Sequence, residues 1–210
     1  MSQFYTQPLP EVWREILSEK VPYIIDLLDY PKYLLPISHT YLAGGLLRAF
    51  VEDAQLASSN TDIDLFFSDS YTYNAVKDYL VNIDSDIEKI FQCPEDKLAT
   101  FLDKSTGWQY QCIAVDFYES LEEVVSSFDF TCICIGTDGQ NLIFREDTMS
   151  DILEKNLRWN KITYPASSLR RMMKYSRKGY KMSESEYQFF VEQVYNHSDT
   201  IVDGTLVYVD

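Results

Sequence analysis

The chain has 210 residues, 46% of them hydrophobic and 15% aromatic, so it can bury a core without disulfides or a structural metal. Its formal net charge of -15 argues against a general nucleic-acid binder, because affinity for phosphate backbones comes from clustered Lys and Arg. An N-terminal apolar leader and a run of ~18 apolar residues are both missing, which predicts a cytoplasmic protein with no membrane partner.

Residues 10–29 carry apolar residues at helical spacing and predict a helix interrupted near Pro22. The next segments predict a short strand (SHTYLA), a Gly-Gly turn and a helix through LLRAFVEDAQLA. After the loop SSNT, the run DIDLFF predicts a strand and YTYNAVKDYLVNI a helix behind it. Residues 97–103 and 108–118 predict a hairpin around Ser105-Thr106-Gly107.

In the second half, SLEEVVSS predicts a short helix and FDFTCICIG a strand. The turn TDGQ leads into a strand, NLIF, and then a helix, DTMSDILEKN, with Asp147 as its cap. After the strand-like WNKIT, Pro165 opens an amphipathic helix expected to bury Leu169, Met172, Met173 and Ser176. Ser183 caps a last helix, ESEYQFFVEQVYNH, and the tail from Ser198 is an extension.

Strands and helices interleave without strict alternation, and at least one hairpin is present. This order predicts an α+β fold, a mixed sheet with helices packed on it and a C-terminal helical appendage. Cys132 and Cys134 alternate with apolar residues, and none of the four cysteines lies in a CxxC pair. Free, buried thiols in a reducing compartment are therefore expected.

Charge is distributed unevenly along the chain. From Lys155 to Lys181 there are nine basic residues and no Asp or Glu, so half of all Lys and Arg lies in this stretch. The pattern predicts one cationic surface, suited to a triphosphate or an RNA end, on an otherwise acidic protein. The alternative is a solvated face of a long helix.

Asp62 and Asp64 flank one apolar residue of a predicted strand, so their side chains point to the same face, about 6 to 7 Å apart along the backbone. Two such carboxylates repel each other unless a cation lies between them, and Mg²⁺ prefers a few carboxylate oxygens plus water and phosphate. Only two histidines occur, so a catalytic metal is expected on oxygen.

Asp116 interrupts the apolar run CIAVDFY, where an unused charge is costly to bury. If its strand pairs beside DIDLFF, Asp62, Asp64 and Asp116 would hold two Mg²⁺ ions roughly 3.5 to 4 Å apart. The alternative is that Asp116 ends its strand in solvent.

Gly44 and Gly45 lie between a strand and a helix, where glycine lets the backbone approach a phosphate and the helix N-terminus favours an anion. Arg48, one turn into that helix, is a candidate contact for the triphosphate. An ordinary turn and a structural Arg are the alternatives.

These segments together resemble a known family. LAGGLLRAF followed by TDIDLFF resembles the signature of the DNA polymerase beta superfamily of nucleotidyltransferases, and most closely the head domain of tRNA CCA-adding enzymes and bacterial poly(A) polymerases. That family has a GG-x-V-R-D pattern before its D-x-D strand and then an R-D-F-T-I-N strand, to which FDFTCICIG corresponds. LRRMMKYSRKGYKM resembles its neck helix, so the similarity runs in order from about residue 41 to 182.

The resemblance implies that Asp62 and Asp64 bind two Mg²⁺ ions, that Gly44 and Gly45 hold the triphosphate of an NTP substrate, and that Asp129 contacts the ribose. Arg170 or Arg171 takes the place of the base-reading Arg, and Lys174 of the same helix is a further candidate for NTP binding. The chain departs from the family in several positions: Phe128 replaces an Arg, Ala49 an acid, and Ser167-Ser168 a Glu-Asp pair.

The resemblance further implies a catalytic domain over residues 1–163 and a neck-like appendage with its tail over residues 164–210. The leading hypothesis is an enzyme that transfers NMP from an NTP to an acceptor hydroxyl, with Asp62 and Asp64 holding the metals and Asp116 helping to deprotonate the acceptor. An RNA 3′ end, tRNA above all, is the favoured acceptor, and DNA is not expected. A protein or small-molecule hydroxyl is the second possibility. A non-catalytic module that binds a nucleotide or a protein is the third, and it would be supported by an Asp116 far from the pair.

Overall fold

The computed structural model describes residues 3–34, 39–53 and 61–196, without the side chains of residues 30–34 and 196. An eight-stranded mixed sheet flanked by helices forms the centre of the protein, as the sequence predicted. The strands are β1 Phe4–Pro8, β2 Thr40–Ala43, β3 Ile63–Phe67, β4 Ile87–Gln92, β5 Leu98–Asp103, β6 Gln109–Ile113, β7 Ile135–Thr137 and β8 Asn141–Arg145. Their order across the sheet is β1-β8-β7-β2-β3-β6-β5-β4.

The helices are α1 Glu11–Lys20, α2 Ile24–Leu34, α3 Gly45–Asp53, α4 Ser70–Ile83, α5 Leu121–Ser126, α6 Thr148–Glu154, α7 Pro165–Arg177 and α8 Glu184–Asn196. The main core contains α1 to α4 side chains and one face of the central strands. A smaller cluster lies on the other face of the sheet, where α5 packs against strand residues such as Tyr41 and Phe66. A third cluster joins Phe130 and Trp159 to Tyr175 of α7 and Phe190 of α8.

The predicted interruption of the N-terminal helix is confirmed, and two side chains of the predicted hairpin stabilise it. Trp108 Nε1 donates to the carbonyl of Lys20 at 2.7 Å, and the Tyr110 hydroxyl donates to the carbonyl of Pro22 at 2.6 Å. These carbonyls lie where α1 ends and α2 has not begun, so they lack helical donors. The hairpin β5–β6 itself has the predicted turn, with Asp103 accepting from Ser105 and Thr106.

The strand predicted for FDFTCICIG is wrong over most of its length. Residues Thr131–Ile133 form a 3-10 turn, and only the short β7 that follows joins the sheet. The cause is competition from polar side chains: Thr131 Oγ1 donates to Asp151 at 2.5 Å, and Thr148 Oγ1 donates to the Thr131 carbonyl at 2.9 Å. The segment WNKIT likewise contributes a single bridge, between Trp159 and Phe130, instead of a strand.

Sequence patterns did not reveal β1 and β4, which are the two edge strands. Most of their side chains are exposed, so neither carries the apolar alternation of a half-buried strand. Their pairing is decided by the neighbours β8 and β5.

The buried face of α7 also differs from the prediction. Leu169, Met173 and Ser176 are exposed, and Ser167, Ser168 and Tyr175 are buried instead. Tyr175 packs edge-on against Phe130, and this contact orients the helix. Ser183 accepts from the amide of Glu186 at 3.3 Å, as expected for the cap of α8, whereas Asp147 makes no side-chain cap bond in α6.

The four cysteines are free, with Cys112, Cys132 and Cys134 buried, as expected for structural thiols. Burial raises the pKa of Cys132 to about 12. Within the described residues, none of the helices combines the length and apolarity needed to cross a membrane. The part of the predicted helix after Asp53, residues 58–60 of the loop SSNT, His197 and the tail from Ser198 lie outside the described residues.

Candidate active site

Asp62 immediately precedes β3, and Asp64 is its second residue, so both lie at the start of the strand that pairs in parallel with β6. Strand alternation directs their side chains to the same face. Asp62 and Asp64 line a common small cleft with Gly45, Thr61, Lys174, Tyr175 and Lys178. The cleft therefore lies between the start of β3, the Gly-Gly turn and the basic face of α7.

The two acids differ from ordinary surface carboxylates in their burial. Asp64 is only 6% exposed. Burial raises the pKa of Asp62, although the positive charges of Lys174 and Lys178 act in the opposite direction. The cleft thus holds a desolvated carboxylate that the nearby lysines do not fully compensate.

The free-energy cost of burying the ionised Asp62 carboxylate leads to a stability prediction for the metal-free protein. Because the folded pKa of Asp62 is raised, the native state binds more protons than the unfolded state between the two pKa values, and stability falls as pH rises through that window. Asp62→Asn removes this penalty, so we expect its melting temperature at pH 7 in EDTA to exceed the wild-type value by roughly 1–3 °C. Thermal unfolding from pH 3 to 8 checks this; a variant that melts below wild type at neutral pH would contradict it.

Gly44 has a backbone conformation that favours glycine, with φ of +87°. A Cβ at this position would contact Asp64 Oδ2 and the ring of Phe128, each at 3.7 Å. The backbone of the turn thus lies directly beside the candidate metal ligand. The Gly44 amide donates to the Ile135 carbonyl at 2.9 Å, and α3 begins at Gly45, whose first-turn amides point away from the helix body.

The Gly-Gly turn gives a matched pair of substitutions. Gly44→Ala should lower the free energy of unfolding by about 1–2 kcal/mol, because an L side chain disfavours positive φ. Gly45→Ala should change it by less than ~0.5 kcal/mol, since its added Cβ meets only Thr61 Cγ2 at 3.9 Å. Urea unfolding of both variants measures the difference, and equal losses would contradict the role of φ.

The donor set fits a divalent metal bound mainly through substrate. Two carboxylates on one face, with backbone packed beside Asp64, match the few protein ligands that Mg²⁺ takes in phosphate-binding sites. In the described part of the chain, three or more His, Cys, Asp or Glu side chains do not converge on a metal-binding position. The remaining ligands of a metal at Asp62 and Asp64 would come from water and phosphate oxygens.

The structure places Asp116 elsewhere, which corrects the three-carboxylate prediction. β6 ends at Ile113, and its register pairs Asp64 with Gln111, so Asp116 lies past the strand end. Asp116 is exposed and lines a separate concavity with Lys161 and other residues before and within α5. The residue beside Asp64 is the half-buried Gln111. The sequence pattern did not single it out as a site residue, because its amide carries no charge.

Arg48 does not line the cleft. Its side chain is buried, 3% exposed, and donates to Glu52 one turn later on α3. Its guanidinium lies 5.8 Å from the ring centres of both Tyr175 and Tyr180. Arg48 is therefore placed as the structural Arg that was the alternative to a triphosphate contact.

Asp129 and Arg171 form an ion pair next to the cleft. Arg171 Nε donates to Asp129 Oδ2 at 2.7 Å, with both side chains about nine-tenths buried. Arg170 is exposed, so the structure distinguishes the two candidate arginines. Phe128, where the related pattern has an Arg, packs against Phe66 with ring centres 5.5 Å apart.

The basic stretch is divided between two roles. Three members pair with acids: Lys155 with Glu52, Arg158 with Asp151, and Arg171 with Asp129. Lys174 and Lys178 line the cleft. Besides Lys178, the exposed members on or beside α7 are Arg170, Arg177 and Lys181. Because acids pair with three of these residues, the cationic surface contains fewer than the nine basic side chains that the sequence counted.

Comparison with protein families gives one match, to the family described as "Gabija anti-defense 2 family protein", over residues 12–155. The match covers more than half of the chain. The chain belongs to the Gabija anti-defense 2 family. Curated proteins give no match.

Solved structures show that this family member has a nucleotidyltransferase fold. The Thermotoga maritima CCA-adding enzyme complexed with tRNA matches with a TM-score of 0.64 and 16% identity, over 91% of this chain and 46% of that chain. A CCA-adding enzyme with ATP matches with a TM-score of 0.66 and 16% identity, over 93% and 48%. The Bacillus stearothermophilus enzyme with CTP matches with a TM-score of 0.51 and 18% identity, over 80% and 42%. The chain thus spans about half the length of these proteins, or less.

Proposed function

We propose that the protein is a metal-dependent nucleotidyltransferase that moves NMP from an NTP to an acceptor hydroxyl. The acceptor oxygen bonds to the α-phosphorus, the bond from that phosphorus to the bridging oxygen breaks, and pyrophosphate leaves. The observation that carries the proposal is the cleft itself, in which Asp62, Asp64, Lys174 and Lys178 face each other beside the Gly-Gly turn. Carboxylates for divalent cations and ammonium groups for phosphates are the two charge types that such a reaction requires. The fold shared with CCA-adding enzymes is consistent with this arrangement.

In this mechanism Asp62 and Asp64 would hold Mg²⁺, two ions in the leading hypothesis. Bound there, Mg²⁺ lowers the pKa of the acceptor hydroxyl and neutralises charge on the phosphates. Lys174 and Lys178 contact the triphosphate, and the first-turn amides of α3 after Gly44 and Gly45 provide further donors. The desolvation of Asp62 strengthens these electrostatic contacts inside the cleft.

Asp129 and the neck helix position the nucleoside in the proposal. Asp129 accepts hydrogen bonds from the ribose hydroxyls and, at the same time, one from Arg171 Nε. Of the two candidate arginines, Arg171 is paired with Asp129 and would act at the nucleoside, whereas the exposed Arg170 would contact a longer substrate such as an RNA end. An RNA 3′ end remains the proposed acceptor, with Arg170, Arg177 and Lys181 as its phosphate contacts.

A second candidate is a non-catalytic module that binds a nucleotide or a protein. The position of Asp116, outside the cleft, favours this reading, as does the uncharged Gln111 beside Asp64.

A protein acceptor is the other alternative, since the family description names action against the Gabija defence, and the chain carries 33 acidic residues. We propose that the cleft serves this counter-defence role.

A labelling experiment separates these readings. The protein is incubated with each α-³²P-labelled NTP, Mg²⁺, and total RNA or protein from cells that carry a Gabija system. Label in RNA supports the leading proposal, and label in protein supports the protein acceptor. Nucleotide binding without label transfer supports the non-catalytic module.

The counter-defence role is tested in the same cells. Wild-type protein should relieve Gabija protection against infection, and Asp62→Asn with Asp64→Asn should not. Relief by both proteins would show that the cleft is dispensable for this role.

A further inference from the structure

Arg48, which is buried, and Glu52, which is partly exposed, form an ion pair on α3, the helix after the Gly-Gly turn, and this pair contacts residues at and beyond the end of α7. Arg48 is 3% exposed, and a charge so placed is costly unless it is compensated. Its partner Glu52 lies one turn further along the same helix. The Glu52 side chain is 25% exposed, and the pair lies against Tyr175 of α7 and Tyr180.

One carboxylate oxygen of Glu52 collects three donors from three parts of the chain. Besides Arg48, Glu52 Oε1 accepts from the Tyr180 hydroxyl at 2.6 Å and from Lys155 Nζ at 2.5 Å. Burial alone would raise the pKa of Glu52, but the hydrogen bonds from Lys155, Tyr180 and Arg48 outweigh burial and lower it. Glu52 is therefore held as an anion that joins α3, Lys155 at the end of α6 and Tyr180, three residues past the end of α7.

The aromatic rings complete this contact. Arg48 lies 5.8 Å from the centres of the Tyr175 and Tyr180 rings, and Lys155 lies 4.8 Å from that of Tyr180. A cation near the face of an aromatic ring is stabilised by the negative charge of that face. We call Arg48, Glu52, Lys155, Tyr175 and Tyr180 the clasp.

Tyr175 connects the clasp to the cleft. It is 2% exposed, lines the cleft with Asp62 and Asp64, and lies between Lys174 and Lys178 in the chain. A helix rotation that moved the Tyr175 ring away from Arg48 would also carry both lysines away from Asp62. The clasp thus fixes the rotation of α7 about its own axis.

We propose that Arg48 is a positioning residue, which holds α7 through Glu52, Tyr175 and Tyr180 so that Lys174 and Lys178 face the triphosphate. The inference rests on the proposed function, and it replaces direct phosphate contact by Arg48. Arg48 thereby controls nucleotide affinity without touching the nucleotide.

The test measures ATP affinity and backbone hydrogen exchange in the full chain. We expect Arg48→Met to weaken ATP binding about tenfold and to speed exchange of the amides at the end of α7, including those of Lys178 and Tyr180, which both bond to the Tyr175 carbonyl. Glu52→Gln, a milder change that keeps the side-chain shape, should give the same effects at smaller size. Arg158→Met is the matched control, because Arg158 pairs with Asp151 away from the cleft.

Combining variants separates positioning from general destabilisation. If Arg48 acts through the lysines, adding Arg48→Met to Lys174→Met/Lys178→Met should weaken ATP binding less than twofold further. Full additivity, unchanged exchange in α7, or an equal loss in Arg158→Met would overturn the proposal. If the wild-type protein binds ATP but transfers no label, only the transferase proposal is overturned. If Arg48→Met binds ATP as tightly as the wild-type protein does, only the proposed role of the clasp is overturned.

Discussion

Asp64→Asn and Asp62→Asn should each reduce NMP transfer by roughly 10³-fold or more. The side chains line the same cleft, and loss of one metal-binding carboxylate removes several kcal/mol of transition-state stabilisation, where about 4 kcal/mol corresponds to a thousandfold. The substitution keeps the side-chain size, so the fold is retained. Incorporation of label from α-³²P-labelled NTP, at saturating Mg²⁺, measures the loss in kcat.

Asp116→Asn is the matched control for this prediction, because Asp116 is exposed and lies outside the cleft. We expect its transfer rate to stay within about twofold of wild type, since surface substitutions away from a site have small effects. A large loss in Asp116→Asn would show that the separate concavity takes part in the reaction. Full activity in either cleft variant would remove the basis of the metal site.

The second large effect concerns the two lysines of α7. Lys174→Met with Lys178→Met should raise KM for the NTP roughly 10- to 100-fold, because the two ammonium groups, of which that of Lys178 is exposed, together contribute about 1.4–2.8 kcal/mol to phosphate binding. Asp62 should become harder to ionise in this variant, since both lysines now lower its pKa. Initial rates over a range of NTP concentrations separate KM from kcat.

Lys161→Met provides the control for charge alone. Lys161 belongs to the same basic stretch but lies beside Asp116 in the other concavity. Its KM for the NTP should remain at the wild-type value. If Lys161→Met and the double variant raise KM equally, the effect reflects the general field of the stretch and not contacts in the cleft.

The sequence alone determined the features that depend on local geometry. The alternation of Asp62, Ile63 and Asp64 places two carboxylates on one face of a strand, whatever the rest of the fold does. The Gly44-Gly45 pair between a strand and a helix predicted the turn, and the structure added the positive φ of Gly44. Helical periodicity likewise predicted α1, α2 and α4 and the break between the first two.

The tertiary structure decided which distant residues join these local features. Asp116 was excluded by the register of β3 against β6, which places Gln111 beside Asp64. Arg48 was turned into the core by Tyr175 and Tyr180, which follow it by more than 120 residues. The edge strands β1 and β4 formed because neighbours offered unpaired backbone groups, which no side-chain pattern records. Sequence periodicity describes one element at a time, whereas register and helix rotation are set by packing between elements distant in the chain.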